Sequence, residues 1–260
     1  MGGESTTRTA PRSSGTGTAA SGGRLGQRLS GVAVALGLVL FLGGFGWAAL
    51  SYRPYTVPTS SMTPTIDAGN RVLAQRVDGG EVRRGDVVVF RDNSWVTGSD
   101  VVKRVVAVGG DTVSCCTDGK LTVNGKQIEE PYLPKGTLAE NQNFATVTVP
   151  KGRLFLLGDE RQGSLDSTAH LTDAAKGTVA RTAVIARVAA VVFPWKGGLK
   201  RPTGFEALGT LSQPGPLATI ELLIVVGAVL VLGGGAYGPI AKRAGRSRAR
   251  AARAEAAGVR

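Results

Sequence analysis

Ser61 lies in Thr59-Ser60-Ser61-Met62-Thr63-Pro64-Thr65, a short polar stretch bracketed by Pro58 and Pro64. The two prolines stiffen the backbone on either side of the hydroxyl. A hydroxyl held on a rigid turn is a candidate nucleophile, and it needs a base. The chain has one histidine, His170, in the polar run Ser167-Thr168-Ala169-His170-Leu171. That run reads as a loop and His170 as a surface residue, so a Ser-His-Asp triad has little to be built from. A metal hydrolase is no better supplied: there is no HExxH and no carboxylate-rich loop. The neighbouring Cys115 and Cys116 make a poor metal site, with the histidine far off in sequence.

A lysine base avoids these difficulties. Free lysine titrates near ~10.4, so only about one molecule in a few thousand is neutral at pH 7. Burial penalises the ammonium form and raises that fraction. Lys103 stands in Val101-Val102-Lys103-Arg104-Val105-Val106. Two-residue alternation puts Lys103 on the side of Val101 and Val105, and Arg104 on the side of Val102 and Val106. A lysine among valines is either a buried base or the gatekeeper of an edge strand; the local sequence does not choose between them. Met62 reads as an exposed apolar residue next to the serine, which fits a nucleophile working near lipid.

The elements that must position these residues read as strands. Extended, β-branched runs occur at 72–74, 86–90, 101–106, 112–114, 120–123, 144–149, 153–157 and 183–188. Glycine turns separate them at Gly109-Gly110-Asp111, Asp118-Gly119 and Asn124-Gly125, the last a strong hairpin signal. No amphipathic helix of about ten residues interrupts them. The fold expected for residues 51–216 is mainly β.

On either side of that region are two apolar runs. Residues 31–50 carry no charge, and residues 217–238 carry only Glu221, near their start. About twenty apolar residues in a helix match a hydrocarbon core of ~30 Å. The first run is longer than the apolar part of a cleaved signal peptide. The expected organisation is a disordered basic tail (1–30), a membrane span (31–50), an extracytoplasmic domain (51–216), a second span (217–238) and a second basic tail (239–260). Arginines dominate both tails, which places both in the cytoplasm. The formal net charge of +12 is then explained by attraction to anionic lipid, with no nucleic-acid partner required. Cys115 and Cys116 fall in the exported part. A bond between them, two free thiols or an intermolecular bond all remain open.

Four blocks, in order, resemble the bacterial type I signal peptidases, membrane-bound serine proteases with a Ser-Lys dyad. They are Pro58 to Thr65, the strands Gly69 to Leu73 with Arg84 to Phe90, Val102 to Asp111, and Gly158-Asp159-Glu160-Arg161-Gln162-Gly163-Ser164-Leu165-Asp166-Ser167. The resemblance runs from about Arg53 to Trp195. It implies a β-rich catalytic core with a smaller inserted β region holding Cys115 and Cys116. It implies Ser61 as nucleophile and Lys103 as base, with Thr59 and the Ser61 N–H facing the oxyanion. Ser164 would orient the lysine, and Asp166 would support that wall through an ionic contact with Arg161. The implied substrates are signal-peptide-bearing preproteins, and the implied location is the cell membrane. No cofactor, metal or obligate protein partner is implied. Thr168-Ala169-His170 departs from the arginine and aromatic pair usual in the family, and Asn70 replaces a frequent aspartate. A self-cleaving Ser-Lys repressor would need a DNA-binding domain and a cytoplasmic location. A silent export receptor would not need the Ser61, Lys103, Ser164 and Asp166 set.

Overall fold

The structure is a computed structural model that describes residues 21–134 and 143–257. It divides into two compact units, one formed by the chain up to Gly44 and from Glu221 onward, the other by Phe45–Ile220.

The first unit is a helix pair. Helix α1 (Ser21–Ser51) and helix α2 (Leu217–Ala257) each contain a stretch long and apolar enough to cross a membrane, Gly26–Ser51 and Leu217–Tyr237. Both helices outrun the expected spans. The helix already covers Ser21 to Ser30, which the sequence reading gave to a disordered tail. At the other end, an alanine- and arginine-rich stretch of strong helix propensity carries α2 on to Ala257. Residues 1–20 and 258–260, the rest of the expected tails, lie outside the described residues. Glycines let the two backbones approach. A Cβ on Gly37 would lie 2.8 Å from the Gly227 carbonyl oxygen, and one on Gly44 2.8 Å from Ile224 Cγ1. Gly227 and Gly234 answer from α2, and Ser30 Oγ donates to the Gly234 carbonyl at 2.7 Å. Small residues two turns apart form a close-packing seam of the kind that serves in lipid, where apolar burial drives nothing.

The second unit is mainly β, as expected. Its first sheet runs in the order β1 (Tyr52–Thr56), β2 (Arg71–Arg76), β11 (Val184–Phe193), β3 (Val87–Phe90), β4 (Val101–Val108), β9 (Arg153–Leu157) and β10 (Thr178–Ala180), with β12 (Trp195–Gly198) paired to β11. All the pairings are antiparallel. The second sheet is smaller: β7 (Lys126–Gln127), β6 (Lys120–Val123), β5 (Thr112–Thr117) and β8 (Phe144–Thr148). Asn124 and Gly125 both have positive φ between β6 and β7, the two-residue hairpin that Asn-Gly predicts.

Both faces of the larger sheet are buried, which strand β3 shows directly. Val87 and Val89 point into one apolar cluster with Met62, Ile66, Val72 and Ala186. Val88 and Phe90 point into another with Val105, Leu154, Leu156 and Val184. A third cluster joins the small sheet to the larger one through Val106, Val113, Leu121, Phe155 and Phe205. The sequence reading missed four strands, β1, β7, β10 and β12. Three are sheet edges and the fourth hangs from β11. Edge strands tolerate proline and lack a second buried flank, so they leave little pattern; Pro54 in β1 is an example.

Candidate active site

Ser61 sits on the loop that joins β1 to β2. The neck of the loop is closed by Val57 N–H to the Asn70 carbonyl (2.9 Å) and Gly69 N–H to the Val57 carbonyl (2.7 Å). The buried Asn70 accepts the Asp67 N–H on its side chain at 3.1 Å. Thr63 N–H donates to the Ser60 carbonyl and Ile66 N–H to the Met62 carbonyl, each at 2.9 Å. Met62 is fully buried with Ile66, so the expectation of an exposed Met62 is wrong. Its side chain pins the turn into the core, and this anchor leaves Ser61 half-buried at the surface.

Lys103 is on β4, an interior strand between β3 and β9. The edge-gatekeeper alternative is therefore removed. Lys103 lies opposite Val88 and shares the face of Val101 and Val105, and only 3% of it is exposed. Burial drives its pKa from 10.5 down to about 8, against the pull of the Asp166 and Asp159 carboxylates.

Thr59, Ser61 and Lys103 line one cavity of about 380 Å³, together with Val57, Val89, Val102 and Leu165. Thr59 Oγ1 and Ser61 Oγ are 3.3 Å apart and either can donate. Ser164 is brought in by Gly158. A Cβ there would collide with the Ser164 side chain and with the Ser61 carbonyl oxygen, so only glycine allows this approach. Ser164 Oγ is buried and has no hydrogen-bond partner among the described residues. A buried hydroxyl without one costs free energy.

Asp166 stands behind this wall, and its partners differ from those expected. It accepts the Gly158 N–H at 2.9 Å, the Thr168 N–H at 3.0 Å and the Thr168 hydroxyl at 2.8 Å. Arg161 pairs instead with Glu130, at 2.8 and 2.6 Å, and donates to the Gly158 carbonyl at 2.9 Å. The physical reason is local. Thr168 offers both a backbone and a side-chain donor to one carboxylate oxygen, while Arg161 meets a closer acid on the stretch after β7. His170 is partly buried and bonds through Nδ1 to Asp173 at 2.7 Å. Cys115 and Cys116 are disulfide-bonded to each other.

Sequence reasoning quoted Arg104 and Asp159 but assigned neither a role, and it overlooked Glu130 and Tyr132. Arg104 makes a bidentate pair with Asp159 (2.8 and 2.6 Å) and donates to the Gly85 carbonyl at 2.9 Å. Thr65, from the serine loop, donates to the same carboxylate. The Tyr132 ring covers the Arg104 guanidinium at 3.9 Å, and its hydroxyl bonds Glu130. Two arginines and two carboxylates thus balance in a dry cluster that ties β4, the serine loop and the Gly158 turn together. Along the chain only Arg104 stands out, as a charge in an apolar run; Asp159, Arg161 and Glu130 lie in polar stretches that carry no such signal.

A serine on a pinned turn, a threonine hydroxyl beside it and a buried lysine of lowered pKa thus line one cavity on an antiparallel β scaffold. Residues 28–195 match the sequence profile of the family described as signal peptidase, peptidase S26. The chain belongs to that family. It is 35% identical over 191 residues to signal peptidase I of Mycobacterium tuberculosis (strain ATCC 25618 / H37Rv), covering 55% of this chain and 65% of that protein. It is 34% identical over 153 residues to signal peptidase I T of Bacillus subtilis (strain 168), covering 55% of this chain and 75% of that protein. The chain thus spans slightly less than two thirds of the mycobacterial relative. A solved signal peptidase I from Enterococcus faecalis V583 is 29% identical, over 45% of this chain and 96% of that one, with a TM-score of 0.32.

Proposed function

We propose that this protein is a serine endopeptidase that removes N-terminal signal peptides from exported preproteins at the outer face of the cytoplasmic membrane. Ser61 is the nucleophile and Lys103 the base. The observation that carries the reading is Lys103: a buried lysine, its pKa near 8, lining the same cavity as a serine on a pinned turn. Membership of the signal peptidase family supports the substrate class.

The reaction follows from the proton inventory. Neutral Lys103 Nζ accepts the Ser61 proton as Oγ attacks the scissile carbonyl. The Thr59 hydroxyl turns from Ser61 Oγ and, with the Ser61 N–H, donates to the oxyanion. The Lys103 ammonium then protonates the leaving amine. In the second half, Lys103 takes a proton from water, which attacks the acyl-serine, and returns it to Ser61 Oγ. Ser164, without a partner among the described residues, has a hydroxyl to orient the lysine, and Asp166 holds Gly158 in place for it. Arg161 serves the same wall from the other side, through the Gly158 carbonyl. Val57, Val89 and Val102 give the cavity shallow apolar walls, suited to the small residues that precede a signal-peptide cut.

The helices α1 and α2 cross the membrane with both basic tails cytoplasmic and attracted to anionic lipid. Cleavage of a preprotein by the full chain in detergent tests the reading. Ser61→Ala and Lys103→Ala should each lose at least ~10²–10⁴-fold in turnover. Near-normal turnover by Lys103→Ala would sink the mechanism. Protease added to sealed spheroplasts should spare a C-terminal epitope until the membrane is opened.

A further inference from the structure

The cavity that holds Ser61 and Lys103 has two walls with no regular secondary structure. One is the loop 91–100, joining β3 to β4, which contributes Val96, Ser99 and Asp100. The other is the segment 158–177, joining β9 to β10, which contributes Gly163 and Leu165.

Each wall is braced within itself. In the first, Asp92 accepts from Ser94, at 2.9 Å from its N–H and 2.6 Å from its hydroxyl. The Asp92 carbonyl takes the N–H groups of Trp95 and Val96, each at 3.1 Å. Arg91 pairs with Asp100 at 2.6 Å across the base. In the second wall, the buried Ser167 is tied to β9 twice, through its N–H to the Leu156 carbonyl (3.0 Å) and through Oγ to the Leu156 N–H (2.8 Å). These bonds shape each wall but do not set the distance between the two.

A ring pair joins the two walls. The Trp95 indole stacks on the His170 imidazole with centroids 4.5 Å apart and planes 10° from parallel. Trp95 also meets the buried Phe90 edge-on, at 5.3 Å and 85°, where it packs against the apolar cluster of that face. The imidazole is itself held by Asp173 at 2.7 Å. Trp95 stands next to Val96, and His170 follows Leu165 by little more than a helical turn's worth of chain. A change in the stack is therefore felt at both rims.

We propose that Trp95 and His170 are positioning residues whose stack sets the width of the substrate cleft. They touch no reacting atom. Their effect is on how well an extended peptide is gripped between Val96 and Leu165. The inference rests on the peptidase reading for its substrate and on the stack alone for its geometry. An aromatic pair of this kind is worth ~0.5–1.5 kcal/mol beyond its buried area. His170→Ala should accordingly raise KM for a preprotein by about three- to tenfold, with kcat within about twofold.

The test uses the full chain in detergent with two readouts. Kinetics compare wild type, His170→Ala, His170→Phe and Trp95→Ala. His170→Phe keeps a flat ring without the bond to Asp173 and should restore KM. Trp95→Ala combined with His170→Ala should cost no more than Trp95→Ala alone. Hydrogen exchange, read by mass spectrometry, should show the 91–100 segment exchanging faster in His170→Ala and at the wild-type rate in His170→Phe. Unchanged exchange in His170→Ala overturns the proposal, whatever the activity. So does a KM for His170→Phe as poor as that of His170→Ala, which would assign the effect to the imidazole's hydrogen bond. Faster exchange in His170→Ala with a wild type that cleaves no preprotein would keep the role of the stack and overturn the peptidase reading alone. Since Trp95→Ala also loses its contact with Phe90, His170→Ala is the decisive variant if Trp95→Ala fails to fold.

Discussion

Replacing Lys103 with methionine separates the two consequences of burying a base. Lys103 is 3% exposed, and its pKa falls from 10.5 to about 8. At ~1.36 kcal/mol per unit, that shift is a penalty of roughly 3 kcal/mol on the ammonium form. At pH 7 it raises the neutral fraction from about one in three thousand to about one in ten. The sign for stability follows from the protons bound. Below about pH 8 both folded and unfolded chains hold the proton, and the full penalty is present. Between about 8 and 10.5 the folded chain gives it up first, so the unfolded state binds more protons and stability rises with pH. Above 10.5 the penalty has gone. Lys103→Met, whose flexible side chain fills the same space, should therefore be inactive. It should also be more stable than wild type by up to about 3 kcal/mol at pH 7, with the difference closing towards pH 10.5. Denaturation of the detergent-solubilised full chain across that range measures the second arm. The pH dependence of kcat/KM measures the first: it should climb about tenfold per unit to a midpoint near pH 8 and then level. An acid limb centred near 10, or a stability gap that ignores pH, would refute the argument that burial tunes this lysine.

Other outcomes follow from single contacts. Thr59→Val keeps the shape of the side chain without its donor and should cost ~3 kcal/mol in kcat, whereas Thr59→Ser should stay close to wild type; preprotein turnover decides. Asp159→Ala strands the buried Arg104 guanidinium and should cost ~3–5 kcal/mol of stability in chemical denaturation. Gly227→Leu would force α1 and α2 apart at the point where Gly37 and Phe41 meet Gly227. It should lower the thermal midpoint of the helix pair in detergent, measured by far-ultraviolet circular dichroism.

Much of the molecule is legible along the chain. The alternation of valines around Lys103, the Asn124-Gly125 hairpin and the two apolar runs are local patterns, because strand period, turn chemistry and bilayer thickness act over a few residues. Ser61 and Lys103 stand out along the chain as candidates because each sits in a compact motif, and the resemblance gives them their expected roles. Tertiary structure alone decided that Lys103 is buried on an interior strand and is not an edge guard. Its strand had to fall between β3 and β9, and sheet order depends on pairings far apart in sequence. Met62 shows the same limit: a turn residue that reads as exposed is the buried anchor of the serine loop. So does the partner of Asp166. An arginine three residues past Gly158 looks available to it, yet Arg161 finds Glu130, and Thr168 takes the place expected of the ion pair. A charged side chain settles on whichever acid the fold brings nearest in a dry environment, and only packing determines which acid that is.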